Sequence, residues 1–238
     1  MNKISIIIPI VNEVDAIHLL LFHLEKTISK RKHCEIIFVD GDSNDGSKNE
    51  VEKHKNVFLI SYNTGRSKQF NAGAKKATGN VLYFLHCDSF PPKDFDLHII
   101  QQIEKGKKAG CFRMKFDNPH PVLQISQWFT RLNHISCRGG DQSLFIEKEL
   151  YYEIGAYDEK YLIYEDNEII KQLYQKKQFV VIPKYLITSS RRYLKNDVWK
   201  LQYHFMVIHL KRILGHSAES LLNYYKRNVE STSMPVSI

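Results

Sequence analysis

ISIIIPIVNEVDAIHLLLFHLEKTISKRKHCEIIFVD, residues 4–40, decides the architecture. Ile4–Ile10 is a run of β-branched residues, the pattern of a strand buried on both faces. Val14–Ser29 then carries Ile17, Leu20, Leu21, Leu24 and Ile28 at helical spacing, and Glu35–Val39 is a second apolar strand. The same alternation continues outward, with a short helix at Ser47–Lys53, a strand at Val57–Tyr62, a helix at Ser67–Ala77 ending near Gly79, and a strand at Val81–Leu85. Strands alternating with helices at this spacing predict an α/β fold with a mostly parallel sheet flanked by helices. In such sheets ligands bind at the carboxyl ends of the strands.

Beyond residue 90 the pattern loosens. It predicts helices at Asp94–Lys105, Val122–Ser136 and Glu165–Lys176, and strands near Gly110–Phe116, Ser143–Ile146 and Phe179–Ile182. Two terminal helices follow, Val198–Leu214 and Ala218–Arg227. The 238 residues allow one sizeable domain with appendages, and no linker, low-complexity tract or repeat divides them. Cys34, Cys87, Cys111 and Cys137 lie far apart in or beside apolar runs and read as reduced thiols. Neither a signal peptide nor a run of 18 apolar residues is found, so the expectation is a cytoplasmic protein.

The net charge of +8 is concentrated toward the C-terminus, where residues 184–227 hold nine Lys/Arg against Asp197 and Glu219. Such a segment suits phosphate-bearing ligands, nucleic acid, an anionic membrane face, or plain solvation of a helix. Polar clusters also fall at the strand ends: Asn12 and Glu13, then Asp40, Asp42 and Asp45, then Asn63 to Arg66, then Asp88. In a parallel sheet these converge, and carboxylates gathered at one rim suit a hard cation such as Mg²⁺ or Mn²⁺ with phosphate oxygens. Singly, each of these residues also suits a turn or a helix cap. GDSNDGSK (41–48) spaces its glycines as a phosphate-binding loop does, but Ser47 and Lys48 stand in the wrong order and no GxGxxG is present.

IIIPIVNE (6–13), VDGDSNDGS (39–47), GRSKQFNAGA (65–74), NVLYFLHCDS (80–89), GGDQSLF (139–145), YEDNEII (164–170) and SSRRY (189–193) occur in this order. Together they resemble family-2 glycosyltransferases, and more narrowly a bacterial subgroup with GR…NAGA, FLH-x-D, GDQ and SSRRY motifs, over about residues 4–227. The resemblance implies the A-type glycosyltransferase fold and an inverting, metal-dependent transfer from a nucleotide diphosphate sugar, a UDP-sugar first, to a sugar or lipid-linked acceptor. By motif position, Pro9, Asn12, Glu13, Asp40 and Asp42 would surround the base and ribose, and Arg66 would lie near the base or diphosphate. Asp88 would hold the Mg²⁺ or Mn²⁺, with His86 at the motif's usual first carboxylate. Asp166 would be the catalytic base, supported by Glu165. Asp141 and Gln142 would border the acceptor, and Arg191 and Arg192 would meet the diphosphate. Where the family has a second Asp after Asp40 this chain has Gly41, and where it has Gly this chain has Asp42.

The expected organisation is one domain over 1–230, with a nucleotide-binding half (1–90), an acceptor and catalytic half (91–195), C-terminal helices (196–228) and a disordered tail (229–238). Two rivals remain open: a nucleotidyltransferase, which would show a glycine-rich loop near its start, and a non-catalytic basic protein, which would leave Asp88 and Asp166 without a task. With the transferase reading, no nucleic-acid partner is expected. The apolar stripe of 198–214 is expected chiefly to pack on the core. Peripheral contact with the inner membrane face is the second expectation for it.

Overall fold

The computed structural model describes residues 2–195 and 197–230. Its centre is an eight-stranded sheet in the order β3-β2-β1-β4-β7-β6-β8-β5. The strands β1 (Ile4–Ile10), β2 (Cys34–Asp40), β3 (Phe58–Ser61) and β4 (Val81–Phe84) pair in parallel, as their continuous apolar runs predict. Every residue of β1 and β2 is buried. Beyond β4 the sheet is mixed: β7 (Leu144–Glu147) runs antiparallel to both β4 and β6 (Ala109–Phe116), while β8 (Phe179–Thr188) returns parallel to β6. A two-residue edge strand, β5 (Ser89–Phe90), pairs antiparallel with β8. Periodicity reports strands but not their direction, so it shows the parallel half of the sheet and is silent on β7.

Helix α1 (Val14–Thr27) covers one face through Ile17, Leu20, Leu21 and Leu24, and α4 (Phe95–Glu104) joins it through Phe95 and Ile99. On the other face lie α3 (Arg66–Lys76), α6 (Lys148–Glu153) and α7 (Glu165–Gln175). The glycine of NAGA has a packing reason here: a Cβ on Gly73 would sit 2.3 Å from Ile7 Cγ2, so α3 lies on β1 at a distance only glycine permits.

Two boundaries differ from expectation for local reasons. β8 continues six residues past Ile182 because Pro183 and Lys184 are bulged out, the register passing from Phe112↔Ile182 to Arg113↔Tyr185. α5 (Pro121–Phe129) stops well short of Ser136. There Thr130 Oγ1 donates to the Gln127 carbonyl and accepts from Met114 N, while buried Arg138 donates to the carbonyls of Thr130 and Leu132, so side chains take the carbonyls that a longer helix would use.

A short α8 (Arg191–Lys195) precedes α9 (Val198–Ile213) and α10 (Ala218–Tyr225). These helices pack on β6 and α5 through Val198, Leu201, Met114, Phe116 and Leu123. A last helical turn, Lys226–Glu230, buries Val229, and the rest of the expected tail, 231–238, lies outside the described residues. The four cysteines are free thiols.

Candidate active site

The loops that leave the carboxyl ends of β1, β2 and β4 meet under α8. β4 pairs with β1 only from Ile4 to Ile7, so Pro9 lies beyond that ladder and faces a cavity of about 310 Å³ shared with Glu13, His86, Asp88, Asp141 and Arg191. Asn12, Asp40 and Asp42 line neither this cavity nor the larger one beside it. Asp40 and Asn12 make contacts within the loops themselves. The fully buried Asp40 carboxylate accepts from the backbone N–H groups of Asp42 and Ser43 and pairs with Lys48 Nζ at 3.2 Å. Asn12, itself at φ 55°, accepts from Asn44 N at 2.9 Å, and Asp42 turns the loop at φ 66°. Gly41 is explained by space: a Cβ there would meet Val11 Cγ2 at 2.9 Å and Gln69 Nε2 at 3.0 Å, leaving no room for the family's second aspartate.

Three carboxylates, Glu13, Asp88 and Asp141, line the small cavity. Burial pushes the Asp88 carboxyl up to about 6; Arg191 opposes this, and Asp141 and Glu13 add to it. Arg191 spans Glu13 and Asp88, with Nε 3.5 Å from Asp88 Oδ2. Glu13 Oε2 is buried without a hydrogen-bond partner. A set of mutually repelling carboxylates with an orphaned oxygen fits a hard divalent cation, so Asp88, with Glu13 and Asp141 near it, could hold one. Asp88 belongs to no ready-made cluster, however. Among the described residues, three such ligand atoms within 4.8 Å of one another are found on His18, Glu50 and His54, which line neither cavity. His86, at the motif position usually acidic, is held neutral: burial, with Arg66 close by, brings its pKa down to about 3.

The larger cavity, about 690 Å³, is bounded by α5, the 136–142 loop, the start of α7 and the inner edge of α9. Arg66, Asp141, Arg192, Tyr193 and Phe205 line both cavities, so the two meet there. Asp166 lines the larger cavity beside Arg66, buried in the first turn of α7. Burial and the neighbouring Glu165 carboxylate push its pKa up to about 7, against Arg66 and a hydrogen bond donated by Tyr157. Tyr157 Oη lies 3.0 Å from Asp166 Oδ1, and Arg66 reaches Glu165 Oε1 through Nε at 3.2 Å and Asp166 Oδ2 through Nη1 at 4.0 Å. Arg66, expected near the base or diphosphate, lines the small cavity and is paired with the Glu165 and Asp166 carboxylates.

The GRSKQFNAGA segment accounts for this placement residue by residue. Gln69 Nε2 donates to the carbonyls of Ile10 and Val39, anchoring α3 to the ends of β1 and β2. Asn71 accepts from Tyr157 N and donates to the Tyr157 carbonyl, while Phe70 stacks on the Tyr157 ring. Tyr157 is a site residue that sequence reasoning missed, since it lies in a loop with no motif around it. On the opposite side Gln142 is buried, its amide donating to Cys137 O and its carbonyl accepting from Arg138. It shapes the loop that presents Asp141 and Gly140. Arg192 hydrogen-bonds Tyr225 Oη and lies over the Phe205 ring, at the boundary of the two cavities.

A parallel βαβ half with carboxylates at its strand ends, joined to a mixed half that carries a buried pair of carboxylates, is the A-type glycosyltransferase architecture. Residues 5–155 match the family model "Glycosyl transferase family 2", and the chain belongs to that family. Among curated relatives, an undecaprenyl-phosphate 4-deoxy-4-formamido-L-arabinose transferase of Proteus mirabilis is 28% identical over 116 residues, 44% of this chain and 35% of that one. A dolichyl N-acetyl-alpha-D-glucosaminyl phosphate 3-beta-D-2,3-diacetamido-2,3-dideoxy-beta-D-glucuronosyltransferase of Methanococcus voltae is 30% identical over 115 residues, 45% and 36% of the two chains. The chain spans about a third of the length of these relatives. Among solved structures, Staphylococcus aureus TarS with UDP-GlcNAc aligns with TM-score 0.67 at 22% identity, over 79% of this chain and 58% of that one. The mannosyltransferase PcManGT of Pyrobaculum calidifontis with GDP-Man and Mn²⁺ aligns with TM-score 0.70 at 15% identity, over 98% and 69%. These likenesses establish the fold.

Proposed function

We propose that this chain moves a glycosyl group from a nucleotide diphosphate sugar, a UDP-sugar first, to an acceptor hydroxyl, with inversion at the anomeric carbon. The observation that carries the reading is Asp166: a buried carboxylate with a raised pKa on the wall of the large cavity, clamped by Tyr157 and by Arg66, which lines both cavities. The donor occupies the small cavity and the acceptor the large one. Asp166 takes the proton of the acceptor hydroxyl as its oxygen bonds to the anomeric carbon and the bond from that carbon to the diphosphate oxygen breaks. Arg191 and Arg192 line the donor cavity and offer their guanidinium groups to the departing diphosphate. A divalent cation, Mg²⁺ or Mn²⁺, held at Asp88 would add charge neutralisation on the same group.

A nucleotide sugar is supported by the fold neighbours crystallised with UDP-GlcNAc and GDP-Man, and a divalent cation by the Mn²⁺ in the latter. A lipid-linked acceptor on the inner membrane face is supported by the undecaprenyl and dolichyl compounds in the relatives' names. No nucleic acid enters this reading. The test is a panel of nucleotide sugars assayed for hydrolysis and transfer with and without Mn²⁺, the anomeric configuration of the product being read by NMR. Metal-dependent turnover of one donor with inversion is expected. No turnover of any donor, or retention of configuration, contradicts it.

A further inference from the structure

Helix α9 has two apolar faces, and the structure uses one of them. Val198 and Leu201 are buried against the core, and Ile208 is buried beside the large cavity. Trp199, Tyr203, Met206, Leu210 and Ile213 form a second stripe at alternating spacings of four and three, and every one is at least half exposed, from 50% for Leu210 to 71% for Ile213. On α5, Ile125, Trp128 and Phe129 are also exposed. Met206 and Leu210 from one helix and Phe129 from the other line the large cavity, so exposed apolar side chains of both helices reach it. A surface of this kind marks a docking site.

We propose that this face seats the protein on an anionic lipid bilayer, with the large cavity opening toward the acyl region so that a lipid-borne acceptor reaches Asp166 without leaving the membrane. The cavity's part in this rests on its assignment to the acceptor. Charge favours lipid over a second copy of the chain: α9 itself carries Lys200, Lys211 and Arg212 and no carboxylate. A two-fold contact through this helix would bring like charges together, whereas an anionic bilayer attracts them. The chemistry of the stripe agrees. Trp and Tyr favour the membrane–water interface, Leu and Ile the acyl boundary, and Lys200 is exposed one residue from Trp199. No helix among the described residues is long and apolar enough to cross a membrane, so the contact is peripheral.

Both tryptophans of the chain are exposed, Trp199 in the stripe and Trp128 on α5 next to the cavity-lining Phe129, which makes intrinsic fluorescence a direct probe of the full-length protein. Flotation with phosphatidylglycerol-containing and pure phosphatidylcholine vesicles, at low and high salt, is followed by tryptophan emission. Binding to the anionic vesicles, a blue shift, and weakening with salt are expected. Trp199→Glu with Ile213→Glu, two residues that line neither cavity, lowers vesicle partition by about tenfold or more while donor hydrolysis in detergent-free buffer stays at the wild-type rate. Absence of binding to anionic vesicles at low salt overturns the docking face and leaves the transferase reading standing, because donor hydrolysis is measured separately. A dimer in analytical ultracentrifugation that the same double variant dissociates also overturns it, by assigning the stripe to a second copy.

Discussion

Replacing Gly140 by alanine tests the placement of the base without touching the base. A Cβ on Gly140 would sit 2.0 Å from Asp166 Oδ2 and 2.9 Å from its Cγ. Non-bonded heavy atoms settle at about 3.5 Å, so the carboxylate oxygen must retreat by about 1.5 Å. It cannot do so for nothing: Oδ1 is held by the Tyr157 hydroxyl at 3.0 Å, and Oδ2 faces Arg66 Nη1 at 4.0 Å. A misplacement of about 1 Å in a reacting group costs on the order of 10²-fold in rate, or about 2.7 kcal/mol of barrier. The backbone itself accepts alanine, since Gly140 does not occupy the left-handed region, and the clash is with the end of one side chain, so the loss of fold stability stays near about 1 kcal/mol. Gly139→Ala is the control, because a Cβ there meets nothing within 4 Å. Glycosyl transfer and donor affinity are measured side by side. Gly140→Ala is expected to lose transfer about 10²-fold with donor affinity retained, and Gly139→Ala to keep both. Wild-type transfer by Gly140→Ala would refute the reasoning.

The pH profile carries a second expectation. Asp166 works as the ionised base and its pKa is raised to about 7, so transfer rises as pH increases through neutrality and is lost below it. Tyr157→Phe removes a hydrogen bond that favours the ionised form, so the rise moves to higher pH; a flat profile or a move to lower pH speaks against Asp166 as the base. Asp88→Ala is expected to abolish the Mn²⁺-dependent part of donor binding, read by calorimetry, while the circular dichroism spectrum is unchanged. Equal donor affinity in Mn²⁺ before and after the substitution would remove Asp88 from the cation site.

The first ninety residues were legible because each strand there is a largely apolar run between polar loops, and the helix between β1 and β2 repeats its apolar residues with one period. The convergence of Glu13 and Asp88 on one cavity follows from that topology, and Arg191 reaches them from α8. Three features were hidden for different physical reasons. The direction of β7 leaves no trace in periodicity. Pro183 breaks the apolar run of β8, although the strand absorbs it as a bulge and continues to Thr188. Tyr157 reaches Asp166 through contacts with Phe70 and Asn71, which are far away in sequence and announce nothing locally. Asn12 and Asp40 also show local work that residue type does not announce: their side-chain oxygens accept from backbone N–H groups of the loop between β2 and α2 (Ser47–Glu52). Helix α9 was read as one broad stripe, and only the packing of Val198 and Leu201 shows which half of it the core takes.

The central claim is that Asp166 accepts the acceptor's proton, and Asp166→Asn tests it most directly. Asparagine keeps the size of the side chain and can still accept the Tyr157 hydrogen bond, but it has no basic oxygen to take a proton. With the turned-over nucleotide sugar and its acceptor, single-turnover transfer is expected to fall by roughly 10²-fold or more while donor affinity holds. Transfer at the wild-type rate with the same pH profile would place the base on another residue.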